Sequence, residues 1–330
     1  MRKQMSTLPD MSGRQALVTG GAGGIGQATA EALVQAGATV IIADLNRARG
    51  QDTVSALRRN NALAKVRFEA LDLGDLAAVE RFCDGLLKDG EPLDLLFNNA
   101  GIQPLSTRKT TADNFELTFG IGHLGHYALT ARLLPLLLAA PAPRVISTSS
   151  LVHPRGWFDR NDLQIEQGYE AQRAYNQTKL ANLLFALELQ RRAEQAGTKL
   201  VSVAGHPGVA RTGIIDNRKH QGALAWPDHM VSLVLAVVMP VLGQDADKGA
   251  LPLLHAAVTD TRKHGNFFGP QGIGGMKGLP GPARIAAIAQ DTELAQWLWE
   301  QSAQLCKLDF ALLNPPAPAF DHSTLSREHT

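Results

Sequence analysis

Short apolar runs alternate with longer stretches of helical period from residue 15 to residue 204. The runs at 15–18, 39–43, 66–71 and 93–97 read as strands, and the stretches at 24–36, 47–59 and 76–88 between them read as helices. The alternation continues with a long helix at 113–138, a strand at 144–148, a second long helix at 170–194 and a strand at 200–204. Strands that are apolar on both sides need cover on both faces, and helices that long supply right-handed crossovers. The pattern predicts an α/β fold, a Rossmann-type doubly wound parallel sheet with helices on both faces.

Beyond Gly205 the rhythm loosens. An apolar helix is expected at 225–242, a second at 247–258, a short strand at 266–268 and a helix at 293–305. No linker divides the chain, so one domain is expected over 13–310, with 206–282 as an elaboration and flexible tails at 1–12 and 311–330. The 330 residues carry 32 Lys and Arg against 31 Asp and Glu, and a net charge of +1 gives no field to draw nucleic acid or an anionic membrane. No apolar segment follows Met1-Arg2-Lys3, so a secretory leader is not expected. The longest apolar stretch, 230–242, is broken by Pro240 and is shorter than the ~20 residues that span a bilayer. A cytoplasmic chain without stable membrane insertion is the expectation. Two cysteines far apart, Cys83 and Cys306, exclude a disulfide scaffold and a cysteine zinc cluster.

The segment Thr19-Gly20-Gly21-Ala22-Gly23-Gly24-Ile25-Gly26 follows the first strand and opens the first helix. A phosphate needs such a place: backbone must approach closely, and the free N–H groups of a helix N-terminus carry positive partial charge. Gln27, where a nucleoside-triphosphate loop has lysine, argues against that class and for a dinucleotide. Asp44 ends the second strand 18 positions after Gly26, near the offset of a ribose-binding carboxylate, although Asp44 or Asn46 could equally cap the following helix. A carboxylate there repels a 2′-phosphate, and Gly23 leaves no basic residue in the loop, so NAD is favoured over NADP, with Arg47 and Arg49 close enough to oppose that preference.

With these pieces the chain resembles the short-chain dehydrogenase/reductase family. The glycine pattern is Thr19-Gly20-x-x-x-Gly24-x-Gly26; Asp72-Leu73 ends the third strand; Asn98-Asn99-Ala100-Gly101 follows the fourth. Tyr175-Asn176-Gln177-Thr178-Lys179 fits Y-x-x-x-K, and His206-Pro207-Gly208-Val209 fits the P-G turn. Gly122-His123-Leu124-Gly125-His126-Tyr127, the long segment before Tyr175 and Gln244-Asp245-Ala246-Asp247-Lys248-Gly249-Ala250 resemble the retinol-dehydrogenase-like and broad-range alcohol and carbonyl reductase branch. The resemblance implies a hydride-transferring oxidoreductase acting on a small-molecule alcohol or carbonyl. It assigns cofactor contacts to Gly20, Gly24, Ile25, Gly26, Asp44, Asp72, Leu73, Asn99, Ala100, Gly101, Tyr175, Lys179, Pro207, Gly208, Val209 and Thr212.

Removing a hydroxyl proton asks for a base, and a tyrosine with an ordinary pKa near 10 is a poor one at neutral pH. An ammonium beside it favours the phenolate, and Tyr175 and Lys179 stand one helical turn apart. Ser150 is the expected second donor to the reacting oxygen, with Ser149 the neighbouring alternative. The family's fourth residue, an asparagine that holds a water in a proton relay, is Gly122 here. That departure leaves a second class open, a non-catalytic dinucleotide sensor. His123 and His126 lack a third metal ligand, so no metal is expected; His206 is a candidate for lining the site. Trp157, Phe158, Tyr169, Trp226, Met230, Leu233 and Val237 could form an apolar wall for a bulky or lipophilic substrate, or cover core. The family often pairs through its two long helices, so a homodimer or homotetramer is implied.

Overall fold

The computed structural model describes residues 8–103, 105–209 and 244–313. Thr212, the helix expected at 225–242 and its residues Trp226, Met230, Leu233 and Val237 lie outside them. Among the described residues eight strands form one sheet: β1 (Gln15–Thr19), β2 (Thr39–Asp44), β3 (Val66–Ala70), β4 (Leu95–Asn98), β5 (Arg144–Thr148), β6 (Val201–Gly205), β7 (Phe267–Pro270) and β8 (Pro280–Pro282). Their order is β3-β2-β1-β4-β5-β6-β7-β8, with all neighbours parallel except the last pair. Strand order reverses between β1 and β4, which opens a crevice beyond their carboxyl ends.

The helices are α1 (Gly24–Gln35), α2 (Arg47–Asn60), α3 (Leu76–Asp89), α4 (Leu117–Phe119), α5 (Gly125–Ala139), α6 (Ala171–Gln195), α7 (Ala246–Val258), α8 (Thr261–His264) and α9 (Thr292–Cys306). Alternate strand residues feed separate cores. Ala16, Val18, Val40, Ile42, Leu95 and Phe97 pack with Leu33, Leu57 and Leu253 of α1, α2 and α7. Leu17, Ile41, Leu96 and Val145 pack on the other face with residues of α3, α5, α6 and α9. Local chemistry marks the ends: Asp75 accepts from the Ala77 and Ala78 amides at the start of α3, and Gly90 closes it at φ +72°.

The helix expected at 113–138 divides. Asp113 accepts from the Leu76 amide, Asn114 sits at φ +64°, and Glu116 caps Thr118 and Phe119, so helix begins only at Leu117. A π-turn (Gly120–Leu124) then joins α4 to α5. A side chain on Gly120 would overlap Thr111, and one on Gly125 would overlap the Leu73 carbonyl, so these glycines let neighbours close in on the widened turn. β8 is an edge strand of proline and glycine, a composition with no strand signature.

The packed body extends past 13–310 at each end: Met11 is fully buried in the core beside α1, its amide donating to the Ala36 carbonyl, and Leu313 is buried in the core on the other face. The long helices expected to pair subunits are covered within the chain. On α6 only Gln172, Glu194 and Gln195 are exposed, and on α5 only Pro135 and Ala139. Trp299 of α9 and Phe310 fill the face, with ring centroids 5.3 and 5.1 Å from Tyr127 and 5.7 and 6.3 Å from Phe185. Among the described residues no helix is long and apolar enough to cross a membrane.

Candidate active site

Thr19 ends β1 and links the first two loops of the crevice. Its hydroxyl accepts from the Asn99 and Ala100 amides at 2.9 and 3.0 Å, while Asn99 Nδ2 donates to the Thr19 carbonyl at 2.8 Å. The loop after β4 therefore braces the glycine loop. Gly20 and Gly24 lie at φ +66° and +53°, and a side chain on Gly26 would overlap the Gly20 carbonyl. Gly23 caps α1 without a side-chain bond, leaving the helix N-terminus open for an anion.

These loops border a cleft of about 570 Å³. Of the residues singled out in the sequence, it brings together Gly20, Gly24, Ile25, Gly26, Asp44, Asp72, Leu73, Asn99, Ala100, Gly101, Ser150, Tyr175, Lys179, Pro207 and Gly208. Val209 does not line it; its amide donates to the Met276 carbonyl and its own carbonyl accepts from Gln244, so it anchors the P-G turn from behind. Gly208 adopts φ +67° there, where a side chain would overlap Met276. Asn46, not Asp44, caps α2. Asp44 accepts from the Ala22 amide at 3.1 Å and the Asn46 amide at 3.0 Å, which ties β2 to the glycine loop and leaves its carboxylate on the cleft. The Arg49 guanidinium lies over Gly23, 2.7 Å from where a Cβ would stand. Phosphate-sized approaches, an open helix end and a carboxylate on the second strand fit a dinucleotide.

The two serines at the end of β5 separate cleanly. Ser149 also lines the cleft, but its hydroxyl donates to the Lys179 carbonyl at 2.7 Å and holds β5 to α6. Ser150 instead faces the Tyr175 phenol on the cleft, as does Gln103. Gln103 carried no signal in the sequence, because its position is set by the loop after β4 and not by a helix or strand repeat. Burial holds the Tyr175 phenol above its ordinary range, with the Ser150 and Gln103 side chains pulling the other way. Lys179 stands 5.7 Å from the Tyr175 ring centroid and donates to the Thr148 carbonyl at 3.2 Å. Its own burial pulls it down to about 8, so it still carries its charge at neutral pH.

Thr178 accounts for Gly122: a Cβ there would meet the Thr178 methyl at 2.7 Å. The Gly122 carbonyl shares a hydrogen bond of 3.1 Å with His126 Nδ1, and His126 Nε2 lies 2.9 Å from the Thr19 hydroxyl. Burial holds His123 and His126 neutral, at about 3 and about 4. His206 is buried against Gly269 and Phe267 and accepts from the Gly208 amide, so it supports the P-G turn without lining the cleft. Trp157 stacks under Arg173, Phe158 meets Trp297, and Tyr169 donates to the Leu105 carbonyl; none borders the cleft. Among the described residues no three His, Cys, Asp or Glu side chains cluster as a metal site. Cys83 and Cys306 are free, buried thiols, each pushed up to about 12.

Residues 14–222 match the short chain dehydrogenase family, and the chain belongs to it. Its relatives include a polyprenol dehydrogenase of Mus musculus, 36% identical over 90% of this chain and 85% of that protein. A second is retinol dehydrogenase 11 of Homo sapiens, 32% identical over 90% of this chain and 87% of that protein. A crystal structure of an uncharacterized protein from Mycobacterium paratuberculosis superposes with a TM-score of 0.73 at 35% identity, covering 92% and 97% of the two chains. A short chain dehydrogenase/reductase from Burkholderia phymatum, solved with NAD, shares the fold at a TM-score of 0.64 and 19% identity, covering 94% and 98%. The chain is an NAD(P)-dependent alcohol or carbonyl oxidoreductase of the retinol-dehydrogenase-like branch.

Proposed function

We propose that this enzyme interconverts a bulky, lipophilic alcohol and its ketone or aldehyde, with NAD preferred and Tyr175 as general acid and base. The observation that carries the reading is the meeting of Ser150, Tyr175 and Lys179 on the cleft that the glycine loop borders. A nicotinamide dinucleotide held by the glycine loop and Asp44 would supply the hydride acceptor for oxidation and the hydride donor for reduction. Ser150 donates to the substrate oxygen and fixes it beside Tyr175. In oxidation Tyr175 takes the hydroxyl proton; in reduction it returns one to the carbonyl oxygen. Lys179 stabilises the phenolate, and this effect strengthens when the positive nicotinamide of the oxidised dinucleotide is bound nearby.

Asp44 supports the NAD preference by offering acceptors to ribose hydroxyls and opposing a 2′-phosphate, with Arg49 limiting how strong that preference is. Relatives named for polyprenol and retinol support a lipophilic substrate. A catalytic role is favoured over a sensor because Ser150, Tyr175 and Lys179 share one cleft despite Gly122. Tyr175→Phe tests it: over a panel of lipophilic alcohols, aldehydes and ketones, turnover followed by reduced-cofactor absorbance should vanish while cofactor affinity persists. Wild-type rates in that variant would refute the mechanism.

A further inference from the structure

From Lys179 a line of buried polar groups runs to the C-terminal helix. The Thr148 carbonyl, at the end of β5, accepts from Lys179 Nζ at 3.2 Å and from Asn182 Nδ2 at 3.0 Å. Asn182 lies three residues after Lys179, on the same face of α6. Its side chain also neighbours the His123 imidazole of the π-turn, and His123 Nε2 lies 2.9 Å from Ser302 Oγ of α9. Ser302 is fixed in turn by donating to the Leu298 carbonyl at 2.8 Å. Asn182, His123 and Ser302 are 5%, 2% and 1% exposed. One turn along α9, Cys306 Sγ reaches the Leu124 carbonyl at 3.5 Å, a second grip on the same turn.

An ammonium on a four-carbon stem has no fixed place of its own. One carbonyl bond leaves it free to swing; a carbonyl that is itself held by a second donor does not tilt. Connected buried polar groups with their partners in place lock such a geometry. We propose that Asn182, backed by His123 and Ser302, positions the Lys179 ammonium in the cleft, so that docking of α9 completes the active site from within the same chain. The inference rests on the role given to Lys179 above. The titratable groups facing Lys179 are Tyr175 from its own helix and His126 from α5, the latter held neutral; the β5 end presents Thr148 and Ser149, and the loop after β4 presents Gly101.

The experiment uses the full chain with Asn182→Leu and Ser302→Ala. Acetylation of Lys179 by acetic anhydride, followed against pH by peptide mass spectrometry, reads the ammonium without turnover. Its midpoint should rise in both variants by about half a pH unit or more as water reaches a loosened side chain. Their kcat should fall about ten-fold with KM held within about three-fold, the signature of lost positioning. An unchanged midpoint in folded Ser302→Ala overturns the proposal, and so does a shifted midpoint with unchanged kcat. Should Asn182→Leu not fold, Ser302→Ala decides alone. If the wild-type enzyme turns over no alcohol or carbonyl, the catalytic reading fails, while the labelling midpoint still decides whether Lys179 is positioned in this way.

Discussion

The Thr178 methyl occupies the space beside Gly122 that a side chain at that position would need, 2.7 Å from the site of a Cβ. Thr178 is fixed there because its hydroxyl donates to the Ala174 carbonyl at 2.8 Å. The gap left by the family's asparagine is therefore closed by packing and by the π-turn.

Restoring the asparagine alone should consequently harm the enzyme. Gly122→Asn is expected to cost about 1–3 kcal/mol through overpacking, with no gain in kcat. The pair Gly122→Asn with Thr178→Ser removes the methyl but keeps the hydroxyl bond, and should recover most of that stability. Denaturant melts and steady-state rates on the single and double variants check this. A stable, faster Gly122→Asn single variant would refute it.

Tyr127 is fully buried among Phe185, Trp299 and Phe310, and its hydroxyl meets no partner among the described residues. Burial pushes its phenol well above the ordinary range. An unpaired buried hydroxyl is a standing cost, so Tyr127→Phe should stabilise the fold by about 1 kcal/mol, raising Tm by about 2 °C. Calorimetry on the two proteins measures it, and a lower Tm would mean the hydroxyl is bonded.

Much of this fold is legible in the sequence. β2 reads as a strand because Thr39, Val40, Ile41 and Ile42 are β-branched, and the ends of α3 are marked by Asp75 and Gly90. The cleft residues were visible because glycine spacing and the four-residue step from Tyr175 to Lys179 are local patterns. What escaped was set by distant partners. Asp113 is spent on the Leu76 amide, Thr111 and Leu73 press on Gly120 and Gly125, and Gln103 meets Tyr175 only through the folded loop. The covering of α5 by α9 joins residues such as Leu124 and Cys306, 182 positions apart, and no local pattern announces it.

Lys179 sets stability against function. Burial lowers it from 10.5 to about 8, so the folded chain works against the charged form by on the order of 3 kcal/mol. Below pH 8 both folded and unfolded chains hold the proton, and the whole cost is present. Between about 8 and 10.5 the unfolded chain still binds a proton that the folded one has released, so stability rises with pH across that window. Lys179→Met should therefore be more stable than wild type at pH 7, lose that advantage toward pH 10, and be inactive. Urea melts of the cofactor-free proteins at the two pH values read the difference, and a less stable variant at pH 7 would refute the sign.

The long helices give the last prediction. Pairing of subunits through α5 and α6 needs exposed side chains there, and only five positions on the two helices are exposed, all but Gln172 and Pro135 near their carboxyl ends. Trp299 and Phe310 cover Tyr127 and Phe185 of those helices from within the chain. Each such aromatic side chain buries about 150–250 Å², an area a partner subunit would have to displace. The protein is expected to sediment as a single chain at micromolar concentration in analytical ultracentrifugation. Truncation before α9 should expose Tyr127 and Phe185 and drive self-association, and a wild-type dimer with α6 at its interface would overturn the expectation.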